Sequence, residues 1–335
     1  MKKKYLCLNN CHFMAKILTG VQSTGTPHLG NLLGAIIPSI KMANKSNEES
    51  YFFIANLHSL TQIKDAKALQ DNTFSTAAAW LAFGLDTNKA CFFRQSDVSE
   101  VTELAWHLSC FFPYQRLTLA HSFKDKSDNL KDVNAGLFSY PMLMAADILI
   151  YDANIVPVGK DQLQHLEITR DVAARFNNQM GETLVIPEPK LQEESKYVIG
   201  TDGEKMSKSK GNTIDIFLSD EKLKKQIMKI QTQSLSIEDK KNPNECNVYN
   251  IYSLIASKEK KEVLKTRYTT GGIGYGEAKE ILFNEILERF QKERDLYNTY
   301  HSNKSKVEGV LKDGAKKARK QAQIVLKRVR SKVGF

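Results

Sequence analysis

The sequence predicts an α/β protein, a doubly wound parallel-sheet domain followed by an all-helical one, and three observations predict it. Short apolar runs of strand length alternate with helix-length segments along the N-terminal part of the chain. A Gly/Ser/Thr turn joins the first of these runs to a helix, as in parallel sheets whose strands are linked by helical crossovers. After Thr213 the strand signals fade while helical periodicity continues.

The elements follow in order. Residues 16–21 read as a strand, and the turn after it leads into Leu29, Leu32, Leu33, Ile36 and Ile40 at helical spacing, with Pro38 expected to kink that helix or to mark a short first segment. A buried strand at 51–55, a helix at 66–83 ending on Gly84, a third strand at 90–94 and a helix from about Val101 continue the alternation. Residues 155–158 give a further strand, and 162–178 a helix with Leu163, Leu166, Ala173 and Phe176 on one face; Pro187 and Pro189 are expected to break the chain. Segments 219–231, 250–268, 275–300 and 309–333 read as helices. The expected organisation is an N-terminal extension at 1–14, with Met14 as a candidate start, a Rossmann-like domain at 15–212 closed by the C-terminal helix, and a helical domain at 213–335.

Composition narrows the function classes. At 335 residues, with 41% apolar and 26% charged, the chain is long enough for two domains. An excess of 48 Lys+Arg over 38 Asp+Glu gives a net charge of +10, which points to an anionic partner, nucleic acid ahead of a membrane surface. The longest apolar stretch, 135–151, is interrupted by Pro141 and Asp147 and falls short of the about 20 residues a spanning helix needs, so no membrane association is expected. Lys2-Lys3-Lys4 precedes a segment broken at Asn9-Asn10 that lacks a small-residue cleavage site, so it is not read as a secretory signal. The five cysteines, Cys7, Cys11, Cys91, Cys110 and Cys246, are odd in number and scattered, which fits reduced thiols and a cytoplasmic location. Cys7, Cys11 and His12 look like half a zinc site, but no second ligand pair follows and no metal ligand is assigned.

Two segments can handle phosphate. The first runs from Thr19 to Asn31, where Gly20, Gly25 and Gly30 let backbone approach a ligand, the helix start offers free N–H groups, and His28 and Asn31 add neutral donors. The second runs from Gly203 to Asn212, with Lys205, Ser207, Lys208, Ser209 and Lys210 between glycines; it reads either as an exposed basic loop or as a mobile one that closes on polyphosphate. The basic C-terminal segment, with Lys316, Lys317, Arg319, Lys320, Lys327, Arg328, Arg330 and Lys332, reads either as a solvated face or as an RNA contact.

Taken together, Lys205-Met206-Ser207-Lys208-Ser209 downstream of His28-Leu29-Gly30-Asn31 resembles the paired signatures of the class I aminoacyl-tRNA synthetases. Asn31 stands where most of the class has a second histidine, and with Gly20-x-Gln22 and Gly30-Asn31 this is similar to the tryptophanyl branch of that family. Ser122 to Ser127, Gly136 to Leu149, Val156 to His165, Gly274-Tyr275-Gly276 and Gly314 to Ala318 resemble that branch in order and spacing, so the likeness covers residues 15–335.

The resemblance implies a role for each matching residue. Asp147 would accept the indole N–H of tryptophan, a task that suits an acceptor-only carboxylate; the alternative is a buried Asp satisfied by its neighbours. Met144, Val156, Val158 and Leu18 would wall the ring beside Gly20, with Leu18 standing where the family often has Phe. Tyr140 and Gln162 would hold the ammonium and carboxylate. Gln22 would sit between amino acid and α-phosphate. Ser23, Thr24, His28, Gly30 and Asn31 would meet the ATP phosphates, and Gly159, Lys160 and Asp161 the ribose. Val198 would lie by the adenine, Lys124, Lys205 and Lys208 would face pyrophosphate, and Met206, Ser207 and Ser209 would complete the ATP loop. His58 reads either as a surface histidine or as one near the substrate, and His107 as a packing residue.

The implied activity is ATP- and Mg2+-dependent activation of L-tryptophan and its transfer to tRNA(Trp), by a homodimer whose helical domain reads the anticodon. No iron–sulfur cluster is expected, since Cys246 is the only cysteine in the C-terminal half. The rival readings are tyrosyl-tRNA synthetase, a non-catalytic RNA-binding paralogue and a small-molecule nucleotidyltransferase.

Overall fold

The computed structural model describes residues 16–45, 48–118, 133–159, 162–191 and 197–335. Five parallel strands form one sheet in the order β3-β2-β1-β4-β5: β1 (Lys16–Val21), β2 (Glu49–Ile54), β3 (Ala90–Arg94), β4 (Ile155–Val158) and β5 (Glu188–Leu191). The chain starts in the middle, winds one way to β3 and then the other way to β5, so the strand order reverses between β1 and β4. In open parallel sheets ligands bind at the carboxyl ends beside such a reversal.

Alternation along the strands divides the core. Leu18, Tyr51, Phe53, Phe93, Val156 and Val158 pack on one face, and Phe52, Ile54 and Phe92 on the other, as a two-residue period requires. β5 departs from the expected chain break. It pairs with β4, Pro189 opposite Val156, and an edge strand tolerates a proline because one side of its backbone has no partner to bond.

The helices are α1 (Leu29–Asn31), α2 (Ile37–Lys45), α3 (Asn56–Ser59), α4 (Ala66–Ala82), α5 (Glu100–Phe111), α6 (Tyr114–Leu117), α7 (Ala135–Leu149) and α8 (Leu163–Met180), then α9 (Asp220–Met228), α10 (Asn247–Ile255), α11 (Lys258–Thr270), α12 (Tyr275–Ser302) and α13 (Lys304–Val333). Pro38 does not end its helix. A π-wound turn at Leu32–Ile36 joins α1 to α2, and its wider winding accommodates the proline ring that a regular α-turn would meet at the carbonyl four residues back. The single helix expected over 250–268 is two, because Ser257 accepts from the Lys260 N–H at 3.3 Å and starts a new one.

One apolar core runs without a break from the sheet face carrying Phe52 and Ile54 into the helices beyond residue 213, through Ile214, Ile227, Ile251, Leu282 and Leu311. On the other side α13 lies along the edge strand β3. Gly314 makes that possible: a Cβ there would fall 1.8 Å from the Phe92 carbonyl oxygen, and the Cys91 thiol donates to the Gly314 carbonyl at 3.1 Å. Ala315, Ala318 and Ala322 continue the small-residue face, and the helix covers backbone that would otherwise be an unpaired edge. Arg319 with Glu100, Arg328 with Asp152 and Arg330 with Glu103 fasten it. The three arginines of the basic C-terminal run therefore serve docking, while Lys312, Lys316, Lys317, Lys320, Lys327 and Lys332 stay exposed.

Candidate active site

At the carboxyl end of β1 the chain turns over a floor of hydroxyls. Gly20 is exposed, and a side chain there would strike the Phe53 ring at 2.4 Å. Gln22 is exposed beside it, and Thr24 is half-buried. Ser23 points inward: its N–H donates to Ser59 Oγ at 3.1 Å and its hydroxyl lies 3.1 Å from Ser59 and 3.2 Å from Thr73. Its side chain thus shapes the turn from beneath. Gly25 takes φ = +131°, a conformation that a side chain would strain.

His28 and Asn31 cap the first helix reciprocally. His28 Nδ1 accepts the Asn31 N–H at 3.3 Å, and Asn31 Oδ1 accepts the His28 N–H at 3.2 Å. Burial, reinforced by the charge of Lys208, lowers the His28 pKa to about 4, so the ring is neutral at pH 7. With Nδ1 accepting, its proton sits on Nε2, which becomes a donor.

The second signature closes on the first. Residues 198–206 double back as a short hairpin: Met206 N–H donates to the Val198 carbonyl at 2.9 Å and Gly200 N–H to that of Glu204 at 2.7 Å. Asn212, buried, organises the loop; its Oδ1 accepts the Ser207 N–H at 2.7 Å and its Nδ2 donates to Asp202 at 2.7 Å and the Lys205 carbonyl at 3.2 Å. Ser207 and Ser209 hydroxyls lie 2.8 Å apart. Lys205 is exposed, and Val198 and Met206 are buried. Gly30 N–H donates to Met206 Sδ at 3.3 Å, and Lys208 Nζ lies 3.0 Å from where a Cβ on Gly25 would be. Lys208 as a residue reaches solvent, yet its ammonium is crowded against the glycine turn. Desolvation lowers its pKa to about 8 against the opposing charge of Asp215.

A second cluster is assembled from dispersed elements. Leu18, Val156 and Val158 are buried on one face of the sheet, with Met144 half-buried one turn before Asp147 on α7. Asp147 is 2% exposed. His58 Nε2 lies 2.8 Å from its Oδ2, and Gln95 Nε2 donates to both carboxylate oxygens at 2.8 Å. Burial raises the Asp147 pKa, and the bonds from His58 and Gln95 oppose that shift. The Tyr140 hydroxyl bonds His165 Nε2, its pKa raised by burial, and the Tyr140 ring stands edge-on to His58 at 6.2 Å. Gln162 begins α8 and Gly159 follows β4. His58 is thus a buried partner of Asp147, not a surface histidine, whereas His107 is buried against Glu103 at 3.4 Å. Lys124, Lys160 and Asp161 lie outside the described residues.

Gln95 and His165 carried no assignment from sequence. His165 ends a run that the family likeness contains, but nothing local distinguishes Gln95, since its partners lie 38 and 52 residues away.

The fold is a parallel α/β sheet with a glycine turn closed by a lysine-bearing loop and a buried carboxylate cluster at its carboxyl end. Residues 12–291 match the family described as tRNA synthetases class I (W and Y). The chain is 46% identical over 321 residues to a tryptophan–tRNA ligase of Campylobacter jejuni, covering 96% of this chain and all of that one. It is 44% identical over 323 residues to that of Fusobacterium nucleatum, covering 96% and 98%. The crystal structure of the Campylobacter jejuni tryptophanyl-tRNA synthetase complexed with ADP and tryptophan superimposes with a TM-score of 0.91 at 45% identity, over 96% of this chain and 100% of that one. The chain belongs to the class I tRNA synthetases for tryptophan and tyrosine. The relatives named above are tryptophan enzymes.

Proposed function

We infer that the chain is a tryptophan–tRNA ligase, which activates L-tryptophan with ATP and transfers it to tRNA(Trp). The observation that supports this best is the meeting of Met206 and Lys208 with Gly30 and Gly25, beside a buried carboxylate at the same end of the sheet. The substrate carboxylate is already ionised, so its oxygen attacks the α-phosphorus without a protein base, the bond to the bridging oxygen breaks, and pyrophosphate leaves. In the second step the 2′-hydroxyl of the terminal adenosine attacks the acyl carbon and AMP departs.

In this reading Gln22, Thr24, Gly30, Asn31 and the Nε2–H of His28 would meet the phosphates, with Ser23 holding the turn. Lys124, Lys205 and Lys208 would balance the charge growing on pyrophosphate, and Met206, Ser207, Ser209 and Val198 would complete the nucleotide loop. Gly159, Lys160 and Asp161 would take the ribose. Asp147 would accept the indole N–H, Leu18, Met144, Val156 and Val158 would wall the ring beside Gly20 and His58, and Tyr140 and Gln162 would hold the α-amino and carboxylate groups. Among the described residues no group of three or more His, Cys, Asp and Glu side chains could hold a metal ion. Magnesium enters the proposal as the ATP salt.

Residues 15–212 would be the catalytic part and 213–335 the anticodon-reading part, a role that the exposed lysines of α13 favour. A homodimer is favoured by Trp106, 70% exposed, with the exposed Cys110 one turn further along α5. No helix among the described residues is long and apolar enough to cross a membrane.

The test is exchange of labelled pyrophosphate into ATP with tryptophan, with tyrosine, and with no amino acid. Exchange with tryptophan alone is expected. Exchange with tyrosine alone would move the chain to the family's other branch, and none with either would leave an RNA-binding protein.

A further inference from the structure

Gln95 has no role in the scheme above, yet it is fully buried against the carboxylate on which amino-acid choice is proposed to rest. Its orientation is fixed. The Leu57 N–H donates to Gln95 Oε1 at 3.0 Å, so the amide cannot flip without setting two donors face to face, and Nε2 must point at Asp147.

The turn that carries Gln95 is held on both sides. Toward α3, which bears His58, Asn56 and Ser96 bond twice, Asn56 Nδ2 to Ser96 Oγ at 2.8 Å and Ser96 N–H to Asn56 Oδ1 at 3.1 Å. Toward α13, Arg94 pairs with Asp97 at 2.9 Å and with Glu308 at 2.6 Å, while Arg319 donates to the Asp97 carbonyl at 2.7 Å.

Counting acceptors picks out one atom. A carboxylate has about four lone-pair sites. Oδ2 faces both His58 and Gln95, whereas Oδ1 shares only the Gln95 amide among the described residues. We propose that Gln95 is a positioning residue for amino-acid selection, fixing the rotation of the Asp147 carboxylate so that Oδ1 is presented to the indole N–H. This rests on the reading of Asp147 given above.

The experiment compares kcat/KM in pyrophosphate exchange for tryptophan and for its isostere with sulfur in place of the indole N–H. Gln95→Leu, Gln95→Glu and Asp147→Asn are measured beside the unaltered enzyme. A site built around a donor rejects an analogue lacking it, so the unaltered enzyme should prefer tryptophan by about 100-fold or more. Both Gln95 variants should cut that preference at least tenfold while leaving KM for ATP unchanged. Gln95→Glu keeps the shape and the acceptor for Leu57 while replacing the fixed amide donor by a second carboxyl that repels or shares a proton with Asp147, so it disturbs the presentation of Oδ1 even if Gln95→Leu does not fold. Equal losses for both amino acids, or an unchanged preference, would overturn the proposal. If Asp147→Asn also leaves the preference intact, the reading of Asp147 itself has failed; if Asp147→Asn abolishes it and the Gln95 variants do not, only the brace has.

Discussion

The two sides of the candidate cleft are built in opposite ways. The phosphate side is made of two continuous segments whose glycines, cap and hairpin are local, so Gly25, His28, Gly30 and Asn31 sit within one turn and its helix. The side proposed to take the amino acid draws His58 from α3, Gln95 from the turn after β3, and Tyr140, Asp147 and His165 from α7 and α8. A triphosphate is recognised by backbone and point charge, which short sequence supplies. A flat ring with one N–H needs a fixed acceptor in a dry pocket, and that takes several elements. Local damage should therefore fall on ATP handling, and distant damage on tryptophan.

The largest effect expected is from Lys208→Ala. Removing one charge poised over the glycine turn should lower kcat for exchange by about 10²–10³-fold, with tryptophan affinity by equilibrium binding little changed. Equal loss of tryptophan binding would erase the contrast between the two sides. Next comes Asp147→Asn, whose amide can turn its own N–H toward the indole. It should cost about 10²-fold in kcat/KM for tryptophan while KM for ATP stays within about twofold. Unchanged kinetics would remove Asp147 as the acceptor.

The same contrast explains what the sequence made legible. The four strands at 16–21, 51–55, 90–94 and 155–158 could be read from apolar runs, and both signature segments from their glycines and lysines, because the constraint and the residue that answers it are neighbours. β5 was hidden by Pro189, whose meaning changes once it lies on an edge. His58 looked like a loop histidine because its partner Asp147 is 89 residues away, and Gln95 gave no signal because a buried amide has no local pattern. Gly314 is similar. Its reason is the Phe92 carbonyl, which nothing near it in sequence announces.

Gly314→Ala sharpens the comparison from a distance. The added methyl would meet backbone, not a movable side chain, so α13 must lift from β3 at a cost of about 2–3 kcal/mol in denaturant unfolding. Since β3 leads directly into the Gln95 turn, the kinetic part of the loss should appear in KM for tryptophan before KM for ATP. A loss shared equally would mean that the helix supports the whole sheet and not one pocket.

The smallest effect concerns His28 and is read in stability. Its folded-state pKa lies near 4 and its ordinary value is 6.5, so between them the unfolded chain binds a proton that the folded one refuses. The stability this group contributes is complete above pH 6.5, falls as pH drops, and stops changing below about 4. At pH 5.5 the loss is about 1 kcal/mol, from one pH unit below the unfolded value. The difference in unfolding free energy between the unaltered protein and His28→Asn, followed from pH 7.5 to 5.5, should shrink by that amount. A flat difference would mean that the ring is not held neutral, and with it would go the Nε2–H donor assigned to the phosphate side. A flat difference combined with normal exchange would show that glycines and lysines alone handle the triphosphate, leaving side-chain geometry as the business of the amino-acid pocket.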